Sequence, residues 1–312
     1  MSVAVFFLTG CAAKKDDTRF ADDFLEFWND VKNNYAYFDK KQTDWNKVKT
    51  IYLTQAKNAK NREGLIAVFE NALEELYDNH FSLNTNLKSS TRLVPTSLDI
   101  WAEWINGKTV ITEVRKGFSA DKAGVKDGME IISINDMPVE HAVNNRIGKC
   151  ITNVDMEVKN YALKQLLAGT YLKDRVIVLK ENGKTSTINL DKNGNLADGF
   201  KYNSLLEFKI IYNNVGYIKF NNSLGEQEVI QLFDSALYQL KNTNALIIDL
   251  RETPSGGNTM IARGIISRFI KKEMPYQKHV LPNEEKGSKP KRSFFAFVSP
   301  RGLLLTKKKL SF

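Results

Sequence analysis

Apolar residues return at helical spacing in the first quarter of the chain. In FADDFLEFWNDVKNNYAYF, residues 20–38, Phe24, Phe27, Trp28, Val31 and Tyr35 share one face. A second such pattern, REGLIAVFENALEELYD, covers residues 62–78. Both predict amphipathic helices whose aromatic stripe builds a helix–helix core. Between about 95 and 192 the rhythm shortens. KTVITEV (108–114) alternates as a strand, ADKAGVKDG predicts a short helix closing on Gly128, and MEIISIND predicts a further strand ending at a turn. MEVKNYALKQLLAGTYL (156–172) predicts a helix stopped at Gly169, and VIVLKENGKTSTINL a hairpin turning on Asn182-Gly183. From about 205 onward, strands and helices alternate: NVGYIKFNN (214–222), EQEVIQLFDSALYQLKN (226–242), ALIIDLR (245–251), then MIARGIISRFIKK. That order predicts βαβ units and a mostly parallel sheet.

Composition adds little to this picture, and charge adds something specific. The 312 residues are 42% hydrophobic and 26% charged, ordinary for a globular protein with room for two or three modest domains. Of the net charge of +9, residues 271–312 hold +8, from eleven Lys and Arg against Glu273, Glu284 and Glu285. No basic face with interleaved aromatics spans the body, so a nucleic-acid partner is not expected. The GKTS inside the hairpin is not a phosphate loop, because Val178 stands where that motif requires glycine.

At the start, MSVAVFFLTGC carries a short apolar run ending Leu8-Thr9-Gly10-Cys11, followed by AAKKDD. This resembles the lipobox of bacterial lipoproteins, in which the cysteine is acylated and becomes the mature N-terminus. The run is too short to cross a bilayer, so membrane attachment is expected only through lipid on Cys11. Cys150 then stands alone, and no intramolecular disulfide is expected.

Two stretches carry candidate chemistry. ALIIDLRETPSGGNTM (245–260) is a buried-strand pattern that ends in Asp249, Arg251 and the pair Gly256-Gly257. Binding residues gather at the C-terminal ends of strands in open α/β sheets. Backbone N–H groups bared at two glycines suit an oxyanion, since side chains there would block its approach. A tight turn before a helix accounts for the same glycines. LYDNHFSLN (76–84) places His80 just after Asp78 at a helix end, as either a base or a surface histidine. His141 and His279 have no partner pattern. No HExxH, CxxC or paired-carboxylate motif occurs, so neither metal nor cofactor is expected, and GxSxG is absent.

TVITEVRKGFSADKAGVKDGMEIISINDMPVE resembles a PDZ domain of the bacterial protease-associated type. Such domains add an extended peptide to a sheet edge, although the usual glycine-rich carboxylate loop is replaced by LDIWAEWING. Together with Leu76-Tyr77-Asp78-Asn79-His80 before it, and Gly216–Phe220 and Ile247–Gly257 after it, the chain resembles the C-terminal-processing and tricorn-type serine peptidases. The resemblance implies an α+β and α/β multidomain protein. It would have a lipoprotein signal and tether at 1–20, a helical N-terminal domain at 21–92, a PDZ-like domain at 93–195, and an incomplete Clp-protease/crotonase-like catalytic domain at 200–312. It also implies His80 as general base, the N–H of Gly256 or Gly257 as oxyanion donor, and Asp249 with Arg251 supporting the turn. The substrate would be a peptide or unfolded protein outside the cytoplasm, in the bacterial cell envelope.

The chain departs from the family at Thr253, where asparagine is common, and more seriously at the nucleophile. Ser299 precedes a proline, Ser311 is the penultimate residue, and Ser255 sits where a small residue is usual. The expectation is therefore a truncated, inactive peptidase. The alternatives are a non-catalytic PDZ scaffold that binds peptides at the envelope and, less favoured, a carbon-chain enzyme of the crotonase fold.

Overall fold

The computed structural model describes residues 19–85, 87–192, 202–222, 224–253, 256–281, 292–302 and 309–311. Helix and sheet are mixed, and the chain divides into two compact units: residues 1–92 with 132–174, and 93–131 with 175–312.

In the first unit, helices α1 (Arg19–Asn34), α2 (Trp45–Lys57) and α3 (Arg62–Glu74) pack on one another. α1 buries Phe24, Trp28 and Val31, the stripe read from spacing, and it stops at Asn34, short of the sequence expectation. α2 falls in a stretch for which no helix was predicted. Its signals are Asp44, which accepts N–H bonds from Asn46 and Lys47 as N-cap, and the buried series Trp45, Val48, Tyr52 and Ala56. The indoles of Trp28 and Trp45 each donate to the other's carbonyl oxygen, at 2.8 and 3.2 Å, which locks α1 to the start of α2. Phe27 stacks on Phe69 of α3 with centroids 4.4 Å apart. Helices α5 (Val139–Arg146) and α6 (Met156–Ala168) complete this unit, and α6 stops at Gly169 as predicted.

Glu75 lies fully buried beneath α3. Its Oε1 accepts from Tyr52 Oη at 2.7 Å and Lys149 N at 2.9 Å, and its Oε2 from Cys150 N at 2.8 Å. A buried carboxylate persists only when its lone pairs are satisfied in this way.

In the second unit, strands β1 (Ile100–Ile105) and β2 (Lys108–Val114) form an antiparallel pair, and β2 meets β3 (Glu130–Ile134) at Val110–Glu130. The hairpin of β5 (Val176–Glu181) and β6 (Lys184–Asn189) extends the order to β1-β2-β3-β5-β6; β4 (Met137–Pro138) pairs the end of β3 at Ser133 and Ile134, residues that belong to the first unit. The hairpin turns on Asn182 (φ 50°) and Gly183 (φ 80°), the left-handed pair that a two-residue turn demands. Short helix α4 (Ser119–Lys122) is tied down by Asp99, whose Oδ2 accepts from Ala120 N at 3.0 Å. Arg175, 1% exposed, bonds both Asp99 (2.5 Å) and Asp191 (2.7 Å).

A second sheet in this unit has the order β12-β9-β8-β7. β9 (Ala245–Asp249) lies parallel to β8 (Val215–Phe220) and to β12 (Lys309–Ser311), and β7 (Leu206–Ile211) is antiparallel to β8. The sheet is mostly parallel, as strand–helix alternation implies. Residues 309–311, read from sequence as part of a basic tail, instead form its edge strand. Helices α7 (Glu228–Gln239) and α8 (Thr259–Ile266) cover one face, burying Phe233 and Ile261 against Ile218, Phe220, Leu246 and Ile248. Gly216 is needed on that face, since a Cβ would lie 2.9 Å from Thr243 Oγ1 and 3.2 Å from Leu240. The remaining ribbon, β10 (Met274–Leu281) with β11 (Arg292–Val298), pairs antiparallel.

Candidate active site

Beyond α3 the chain must turn, and Tyr77 does so at φ 37°, a left-handed conformation unusual for a bulky residue. Several bonds hold it there. Its phenol accepts from Gln42 N at 2.6 Å, and Leu76 beside it is fully buried. One residue on, Asp78 accepts Tyr35 Oη at 2.7 Å on Oδ2 and His80 N at 2.8 Å on Oδ1. Asn79 accepts from Gln165 Nε2 of α6 at 2.9 Å. Burial and the bond to Asp78 push the Tyr35 phenol far above its usual value, so it remains a donor. Phe81 N donates to Asp78 O at 3.1 Å, so the loop is held just before and just after His80, which is itself exposed. A cavity of about 500 Å³ opens beside it, walled by Val31, Tyr35, Tyr37 and Phe81 with Asp30 and Asp78.

In the second unit, Asp249 ends β9 and is 6% exposed. Arg251 folds back onto it, Nη2 to Oδ2 at 2.7 Å and Nε to Oδ1 at 3.0 Å, and Tyr217 Oη donates at 2.5 Å. The Arg251 bonds hold the Asp249 carboxyl well below the ordinary carboxylate range. The pair thus forms locally, between the last residue of β9 and the turn that follows it.

Sequence reading gave no role to the residue after Arg251. Glu252 is 8% exposed, and its Oε2 accepts Arg115 Nη2 at 2.7 Å, Arg115 Nε at 2.9 Å and Tyr202 Oη at 2.7 Å. Arg115 lies over the Phe118 ring at 4.0 Å and also donates to Thr96 O at 3.1 Å. Burial, then the bond to Glu252, pushes the Tyr202 phenol up to about 12. Nothing local marks this contact, because the two ends of the ion pair are 137 residues apart.

Gly256 and Gly257 follow, both exposed, leading into Asn258, which caps α8 through Met260 N. A Cβ at Gly256 would meet nothing within 4 Å. Neither glycine has a left-handed φ. Backbone conformation therefore does not require glycine here, and the space in front of Gly256 is open. His80 belongs to the first unit, and Asp249, Arg251, Gly256 and Gly257 to the second.

Ser299 donates to Glu273 Oε2 at 2.8 Å on the surface, and Ser311 lies on β12. His279 stacks on Phe294 with centroids 4.6 Å apart, and His141 lies on α5. Cys11 and Ser255 fall outside the described residues. Cys150 is a buried free thiol. Among the described residues no cluster of His, Cys, Asp and Glu is disposed to hold a metal ion, and no helix is long and apolar enough to cross a membrane.

Comparison with known proteins agrees with the resemblance read from motif order. Residues 16–74 match the tricorn protease C1 domain, and the chain is similar to the tricorn-type and C-terminal-processing peptidases, a class of hydrolases. The carboxy-terminal processing protease CtpB of Bacillus subtilis (strain 168) is 27% identical over 247 residues, 76% of this chain and 46% of CtpB. The chain thus spans about half the length of that relative. Among solved structures, mature CPAF superposes with a TM-score of 0.53 at 12% identity, over 85% of this chain and 61% of that one. Mature CPAF complexed with lactacystin gives 0.50 at 12% identity, over 85% and 62%. At such identities the likeness is one of fold.

Proposed function

We propose that this chain serves peptide-bond hydrolysis in peptides or unfolded proteins, with His80 as general base. The observation that carries the reading is the fixed Tyr77–Phe81 loop, which presents an exposed imidazole at the edge of a cavity. His80 would take the proton of a serine hydroxyl as it attacks the scissile carbonyl, then return it to the leaving amine. The N–H of Gly256 or Gly257 would stabilise the oxyanion, with Asp249–Arg251 and Arg115–Glu252 keeping the preceding turn in place. In this reading, residues 21–92 are the helical domain, 93–195 the PDZ-like domain, and 200–312 the part of a Clp-protease/crotonase-like catalytic domain that this chain holds.

Among the described residues no serine lines the cavity beside His80. The 312-residue chain by itself is accordingly expected to show no turnover. Two measurements test the reading. Peptide or casein should slow carbethoxylation of His80 by diethylpyrocarbonate, followed by mass spectrometry; unchanged reactivity at saturating peptide would remove His80 from the peptide path. Turnover by this chain that His80→Ala abolishes would overturn the missing-nucleophile part while supporting the base. Protection elsewhere, with His80 unaffected, would instead favour the peptide-binding scaffold.

For location, Cys11 as the lipidated residue would tether the protein to the bacterial cell envelope. Palmitate labelling that survives Cys11→Ser would refute this.

A further inference from the structure

We propose that the cavity beside His80 selects a basic side chain, arginine or lysine, in the peptide that occupies the site. This rests on the peptide reading of His80 and adds the substrate class.

The wall of the cavity is aromatic. Tyr35 stacks on Phe81, centroids 5.0 Å apart at 27°, and meets Tyr37 edge-on at 6.0 Å. Val31 continues this apolar surface. Set into it are two carboxylates, Asp30 and Asp78, and neither lysine nor arginine is among the lining residues. Neither carboxylate has a cationic partner among the described residues; the cations nearby in sequence are engaged elsewhere, Lys32 over Trp28 and Lys41 on Glu157.

A carboxylate at the edge of an apolar pocket loses hydration when the pocket fills, and an apolar occupant offers it nothing in return. A long side chain with a methylene stem and a cationic head answers both halves of the lining. The stem covers Val31 and the rings, the charge attracts the aromatic faces, and the N–H groups reach the carboxylates. Asp78 has capacity for this, because Tyr35 Oη and His80 N occupy only one lone pair on each oxygen. A glutamate in the same place would face two like charges. Asp30 is the cleaner handle for selectivity. It is exposed on α1 and its side chain makes no hydrogen bond among the described residues, whereas Asp78 shapes the loop.

The test uses the full chain with ¹³C-labelled histidine. His80→Gln identifies the His80 ring signal among the three histidines. Capped alanine pentapeptides with arginine, lysine, leucine or glutamate at the centre are then titrated. The proposal expects the arginine and lysine peptides to move the His80 signal with Kd at least fivefold tighter than leucine, and glutamate to leave it in place. Asp30→Asn should reduce that preference to under twofold, and Tyr37→Ala should weaken the basic peptides. Leucine binding as tightly as arginine, or a preference untouched by Asp30→Asn, overturns the basic-residue assignment while leaving a peptide site at His80. No movement with any peptide overturns the peptide site itself, and this assignment with it.

Discussion

Cys150 is fully buried, and burial, reinforced by the Glu75 charge, pushes its thiol up to about 12. The thiolate is the reactive form, so this cysteine should be inert in the native protein. Iodoacetamide at pH 8 should label it only as fast as the chain unfolds, and addition of denaturant should restore ordinary reactivity. Labelling at the rate of a free thiol without denaturant would contradict the buried placement. Asp249 is the opposite case. Its carboxyl is held below the usual range chiefly by Arg251, so ionisation favours the fold. The sign follows from linkage: the contribution is full above the unfolded carboxylate value of about 3.9 and is lost as pH falls from there toward the lower folded value. Asp249→Asn should therefore lower stability near neutrality and leave it less dependent on pH below about 4. Urea midpoints at pH 7 and pH 3 would measure this, and a mutant whose midpoint falls equally at both would be evidence against the pair. The Asp249–Arg251 pairing was half legible. Residues two apart on a strand share a side, yet sequence left open whether Arg251 would reach another carboxylate.

Longer stretches show where local pattern carries the answer. α1, α3, α6 and β2 form over the stretches their periodicity marks, because each buries one face, although α1 and α3 end short of the sequence reading; the hairpin follows from its Asn182-Gly183 turn. α2 was missed although Asp44 and the Trp45–Ala56 series mark it; its three lysines blur the amphipathic contrast. β1 was read as the stand-in for a carboxylate loop, since its pairing with β2 depends on a neighbour and not on its own pattern. Gly148 illustrates a constraint no local rule gives. A Cβ there would lie 2.2 Å from Glu75 Oε2 and 3.3 Å from the Glu75 Cα, and that carboxylate is fixed by three bonds. Gly148→Ala should cost about 1–3 kcal/mol by overpacking. Chemical denaturation would report it, and a loss below about 0.5 kcal/mol would mean that Glu75 can yield.

Within the second unit, Arg115 and Glu252 join the β2 end to the turn after β9, with side chains 4% and 10% exposed. Removing one member of a buried pair strands the other charge. Arg115→Met should thus destabilise by about 3–5 kcal/mol, whereas Arg115→Met with Glu252→Gln should recover much of it. A double mutant no more stable than the single would show that the pair is not the coupling. The site followed the same division as the fold. His80, Gly256 and Gly257 are candidates by motif order alone, since each type suits chemistry that a short sequence window displays. The cavity wall of Val31, Tyr35, Tyr37 and Phe81 was visible only as a helical stripe and a nearby aromatic, without any hint that they enclose a space. Helices, hairpin and the mostly parallel sheet were settled by the chain itself, because periodicity and turn conformation act over a few residues. The Glu75 network, the β12 edge and the Arg115–Glu252 pair were decided by tertiary structure, because burial and charge pairing depend on which distant residues become neighbours.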